Sequence, residues 1–90
     1  MDWNAYSFVM RSSHRTEILK CMTTPMVPSQ IAKATGMYSS YVSHTLADFI
    51  KQDIAECANP EAKRWRVYVL TELGKEIQKH IDELPEKYVK

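Results

Sequence analysis

Residues 29–53 read SQIAKATGMYSSYVSHTLADFIKQD, and their apolar members recur at helical spacing in two short runs joined at one glycine. Ile31, Ala32 and Ala34 make the first run. Val42, Leu46, Phe49 and Ile50 make the second, in the i, i+4, i+7, i+8 pattern of a helix burying one face. Ser29 is placed to cap the first helix and Ser39 the second. Gly36 is expected in the left-handed turn that ends the first. The second helix stops near Gln52 and Asp53, since aspartate also enters the left-handed region. Two helices packed across so short a turn, over about 29–52, admit few architectures.

Beyond Asp53 the period changes from helical to alternating. IAEC is a short strand candidate, ANPEAK a turn-bearing loop, and RWRVYVL the best strand in the chain. In that strand Trp65, Val67 and Val69 would face one side, the core, with Arg64, Arg66 and Tyr68 on the other. The hairpin occupies about 54–70. Thr71 then caps a helix over about 72–84, ELGKEIQKHIDEL, with Leu73, Ile77, Ile81 and Leu84 on one face, and Pro85 closes it. Upstream, Asp2 caps a helix carrying Trp3, Tyr6, Val9 and Met10. Ser12 or Ser13 restarts a second with Ile18, Leu19 and Met22 inward, and TTPMVP breaks it. Only two glycines occur, Gly36 and Gly74, so each should mark a backbone or packing need. The 90 residues therefore read as a single α+β domain, mainly helical: three or four helices, a hairpin, one more helix. There is room for a third short strand beside the first helix of the pair.

A hydrophobic content of 44% with 26% charged residues excludes a disordered chain. The net charge of +1 does not announce a nucleic-acid partner, so such a reading must come from where the charges sit. Cys21 and Cys57 are far apart without a CxxC and read as buried thiols of a reducing cytoplasm. The N-terminus has no signal sequence or membrane span, which adds to the cytoplasmic expectation. The histidines at 14, 44 and 80 lack ligand spacing. No glycine-rich phosphate loop, nucleophile elbow or converging His and carboxylate set occurs. The expectation is no enzyme, no metal and no cofactor.

The second helix of the pair carries an unusual outer face. At about 100° per residue, Ser40, His44, Ala47 and Lys51 lie opposite the core stripe, with Tyr41 and Ser43 flanking. A helix entering a DNA major groove needs short side chains near its N-terminus, so that the backbone approaches base edges and phosphates. A solvated helix with a serine-rich start is the plainer alternative.

The succession of SQIAKATG, SSYVSHTLADF and IAECANPEAKRWRVYVLTELGKEI resembles the winged helix-turn-helix domains of ArsR/MarR-type transcriptional regulators, most closely their small archaeal members. The resemblance spans residues 12–81. It implies a two-stranded wing with an asparagine-proline turn, double-stranded DNA as partner, and a homodimer reading paired half-sites. The recognition helix, 39–52, would lie in the major groove and the wing, 58–66, on backbone or minor groove. The implied contact residues are Ser29, Gln30 and Lys33 on the first helix, and Ser39, Ser40, Tyr41, Ser43, His44 and Lys51 on the second. Lys63, Arg64 and Arg66 are those of the wing; Trp65 between the arginines could stack on a sugar or base, but its alternation with Val67 and Val69 favours the core. Arg11 and Arg15 are further phosphate candidates. WNAYSFVM and the final helix are the expected dimer elements, and a small-molecule effector is left open. Two positions depart from the pattern: Asp53 stands where Gly is usual, and His44 where Arg is more frequent. The competing reading is a winged-helix module that binds protein, favoured by the near-neutral charge, Asp48, and the acidic Asp82, Glu83 and Glu86.

Overall fold

The computed structural model describes residues 2–83, and Leu84, Pro85 and Glu86 fall outside them. Asp2 Oδ1 accepts from the backbone N–H of Asn4 (3.0 Å) and Ala5 (3.2 Å) and opens α1, Trp3–Met10. Ser12 Oγ accepts from the Arg15 N–H and opens α2, Ser13–Cys21.

Two helix starts differ from the sequence expectation. α3, Pro28–Thr35, begins at Pro28 with Val27 as its cap, so Ser29 lies inside the first turn. Proline suits that first position because its φ is preset and its missing N–H would have had no intrahelical partner. α4, Ser39–Lys51, is capped by Tyr38, and Ser39 is its first helical residue. Gly36, at φ 74°, turns the chain so sharply that Met37 and Tyr38 suffice to redirect it, and the helix starts one residue early.

The core takes Ala5 and Val9 from α1, Ile18 and Leu19 from α2, and Ile31 from α3. Val42, Leu46 and Phe49 come from α4, Ile77 and Ile81 from α5, with Ile54 and Leu70 at the wing base. Ile50 departs from expectation: it is 42% exposed. It lies about 80° round the helix from Val42, on the edge of the stripe, while Thr45 on the other edge is buried instead. Ala34 is likewise exposed.

Asp53, at φ 62°, makes the left-handed turn from α4 into the wing. β1, Ala55–Cys57, pairs antiparallel with β2, Tyr68–Leu70, in the register Ala55 with Leu70, Glu56 with Val69 and Cys57 with Tyr68. The strand expected over 64–70 is therefore only three residues long. Its first half is loop, and Trp65, at φ 56°, breaks the alternation and turns outward rather than into the core. The third strand is reduced to one residue: Met26 and Tyr68 exchange both backbone hydrogen bonds, at 3.1 and 2.8 Å. Pro25 and Pro28 flank Met26 closely, and a residue without an N–H cannot extend a ladder.

α5, Glu72–Glu83, starts at Thr71, whose Oγ1 accepts from the Gly74 N–H (3.1 Å) and lies 2.6 Å from the Asp53 carbonyl. Gly74 faces the wing base closely: a Cβ there would lie 2.1 Å from the Ile54 carbonyl oxygen. The Gln78 amide donates to the Leu19 carbonyl at 2.7 Å and ties α5 to the end of α2. Leu73 is half-buried beside buried Ile77 and Ile81. No described helix is long and apolar enough to cross a membrane.

Candidate nucleic-acid interface

With Val42, Thr45, Leu46 and Phe49 buried, α4 presents Ser39, Ser40, Ser43, His44, Ala47 and Lys51 to solvent. The serines donate and accept, and their short reach lets the helix backbone come close to a partner surface. The His44 side chain is 78% exposed, with Nε2 3.9 Å from the Asp48 carboxylate, an ion pair only while the imidazole is protonated. That pairing is too long and too exposed to hold the ring. Tyr41 is steadied from the side by an edge-on contact with the His14 ring of α2, centroids 5.4 Å apart.

Tyr38 was not among the expected contact residues, yet it is 85% exposed at the very start of α4. It lines a notch of about 340 Å³ with His14, Gly36, Met37 and Tyr41. Its place next to the helix start was the available signal, hidden by assigning the cap to Ser39.

On α3, Ser29, Gln30 and Lys33 are exposed. Gln30 Oε1 accepts from the Val27 N–H at 2.9 Å, which caps the helix and leaves the side-chain NH₂ as a donor. Arg11 is exposed. Arg15 is half-buried: its guanidinium sits 3.8 Å from the Phe8 ring centroid and Nη1 donates to the Phe8 carbonyl at 2.8 Å, joining α1 to α2.

In the wing, Asn59 holds the loop from both ends. Its Nδ2 donates to the Trp65 carbonyl (3.1 Å) and its Oδ1 accepts from the Val67 N–H (2.7 Å). Lys63 and Arg64 are exposed on this clamped loop. Arg66 is exposed too, but its Nε donates to the Ala62 carbonyl at 2.9 Å, so only the terminal nitrogens face outward.

The cysteines are free and half-buried rather than fully buried. Burial raises the Cys21 thiol above its ordinary value, which keeps it protonated and unreactive. Among the described residues no three His, Cys, Asp or Glu side chains converge to hold a metal ion. An open cleft of about 740 Å³ runs between the turn after α2, β2 and the start of α5. Its lining mixes Glu56, Glu72 and Lys75, and the Gln78 amide there is already bound to backbone.

No protein-family model matches the chain, and no curated protein matches it by sequence. Solved structures do. A MarR family transcriptional regulator from Silicibacter pomeroyi DSS superposes with a TM-score of 0.72 at 22% identity, over 84% of this chain and 51% of that one. The MarR family transcription regulator SP03579 gives 0.64 at 25% identity, over 88% and 59%. RV1404 from Mycobacterium tuberculosis gives 0.65 at 15% identity, over 89% and 58%. The fold is thus a winged helix like that of MarR family transcription regulators, and the chain spans little more than half the length of those it matches. The ArsR side of the sequence resemblance rests on its motifs alone.

Proposed function

We propose that this protein binds double-stranded DNA sequence-specifically as a non-enzymatic transcriptional regulator, with α4 in the major groove and the wing on the backbone or minor groove. The observation that carries the reading is the outer face of α4, where Ser39, Ser40, Ser43 and His44 stand exposed opposite a fully buried stripe. Ser43 and His44 project from the half of the helix that reads bases, and the exposed Ser29, Gln30, Lys33, Ser39, Ser40, Tyr41 and Lys51 are the further contacts of this reading. Lys63, Arg64 and the outer nitrogens of Arg66 supply sequence-independent attraction to phosphates. One module of this kind buries little duplex surface, so the reading takes paired half-sites and a homodimer. α1 and α5 supply its surface, where Trp3, Tyr6 and His80 form a triangle of edge-on rings with centroids 5.4–5.9 Å apart. A cytoplasmic location goes with this reading.

The second reading, a protein-binding module, gains one observation. Tyr38, Tyr41, Ile50 and Trp65 are large apolar side chains exposed on α4, its cap and the wing. Selection of duplexes from a random pool followed by salt titration separates the two. A DNA regulator enriches a symmetric motif and loses affinity steeply with salt. His44→Ala then costs about 1 kcal/mol and relaxes preference at one base pair with the salt slope unchanged. Lys63→Ala or Arg64→Ala weakens all sequences alike and lowers the slope by about one. Absence of any duplex binding at low salt, or identical behaviour of His44→Ala and Arg64→Ala, refutes this division of labour.

A further inference from the structure

Trp65 is held in a conformation that its residue type disfavours. Its φ of 56° lies in the left-handed region, which bulky L residues rarely enter and glycine or asparagine enters readily. The loop does not let it relax. Asn59 binds the Trp65 carbonyl on one side and the Val67 N–H on the other, and Arg66 is anchored on the Ala62 carbonyl. The result of this constraint is an indole 73% exposed, with no ring or cation among the described residues stacked on it. A turn needing only to close would be served better by glycine. Strain of this kind, maintained by surrounding hydrogen bonds, is a mark of a working position. The neighbouring residues indicate the partner: Lys63 and Arg64, which precede Trp65 in the loop, are exposed, and cations near a projecting aromatic complement an anionic surface.

We propose that Trp65 is itself a DNA-contacting residue, its indole entering the minor groove against sugar and base edges while Lys63 and Arg64 pair with the phosphates alongside. The inference rests on the DNA-binding reading and adds to it an apolar contact that the charged wing residues do not make. Two properties follow. An aromatic contact releases no counterions, so its loss lowers affinity at every salt concentration without altering the slope. And because the ring costs the loop strain, removing it does not destabilise the fold.

The test uses Trp65→Gly and Trp65→Asn, both suited to positive φ, and a mixed-sequence duplex at low ionic strength. The expected result is about ten-fold weaker binding with an unchanged salt slope and a thermal midpoint equal to or above wild type. The difference in fluorescence between wild type and Trp65→Gly isolates the Trp65 signal, which is expected to be quenched and shielded from acrylamide in the complex. Wild-type affinity in Trp65→Gly overturns the proposal, as does an indole that stays accessible in the complex. Loss of affinity accompanied by a lower thermal midpoint overturns it too, since the ring would then be structural. If the wild-type protein binds no duplex at all, the DNA-binding reading itself falls and this inference with it, a result seen before any substitution is made.

Discussion

Gly74→Ala tests the joint between the wing and α5. The added Cβ would lie 2.1 Å from the Ile54 carbonyl oxygen and 3.2 Å from Leu70 Cβ. Ordinary C···O contacts begin at about 3.3 Å, so helix and strand must separate by about 1 Å. The Ile54 oxygen also receives the Thr71 N–H at 3.0 Å and the Thr71 hydroxyl at 3.0 Å. A retreat of that size stretches both beyond hydrogen-bonding range. Two such bonds are worth about 1 kcal/mol each, and forced packing adds roughly 1–3 kcal/mol. Alanine's better helix propensity returns at most about 1 kcal/mol. The net loss is about 2–4 kcal/mol, a fall in Tm of roughly 8–30 °C for a domain of this size. Gly36→Ala is the internal comparison, because a Cβ there meets nothing within 4 Å and only the φ of 74° opposes it. That substitution costs about 1 kcal/mol. Thermal and urea unfolding followed by circular dichroism measure both. A Gly74→Ala protein as stable as wild type, or less affected than Gly36→Ala, refutes the steric reasoning.

Two further outcomes are expected. Asn59→Ala removes both ends of the wing clamp, so exchange of the Val67 amide accelerates and DNA affinity falls while the global melting point moves little. An unchanged Val67 exchange rate would show that the clamp does not hold the loop. Burial raises the Cys21 thiol, so the folded state keeps its proton to higher pH than the unfolded chain. The stability from this group is fully present below the ordinary thiol value and is lost as pH rises through the folded one. Urea midpoints across alkaline pH should therefore decline less in Cys21→Ala than in wild type, and parallel curves would count against it.

The local parts of this protein were legible in its sequence. Caps at Asp2, Ser12 and Thr71 follow from side chains that reach their own first turn. The left-handed turns at Gly36 and Asp53 follow from residue types that tolerate them, and the outer face of α4 follows from helical periodicity. These depend on neighbours within a few residues, which a sequence displays directly. What only the tertiary structure decided depends on distant groups. The Phe8 ring and carbonyl engage one side of the Arg15 guanidinium, and the Ala62 carbonyl partly withdraws Arg66. Gly74 is required by the oxygen of Ile54, on a separate element. Trp65 alternates with Val67 and Val69 as a core residue would, but a single amide at Asn59 reverses the backbone and turns the ring to solvent. Periodicity describes how a strand would bury its faces if it formed. Whether it forms is settled by where its backbone finds partners, and here the Trp65 carbonyl is bound by the Asn59 amide within the loop.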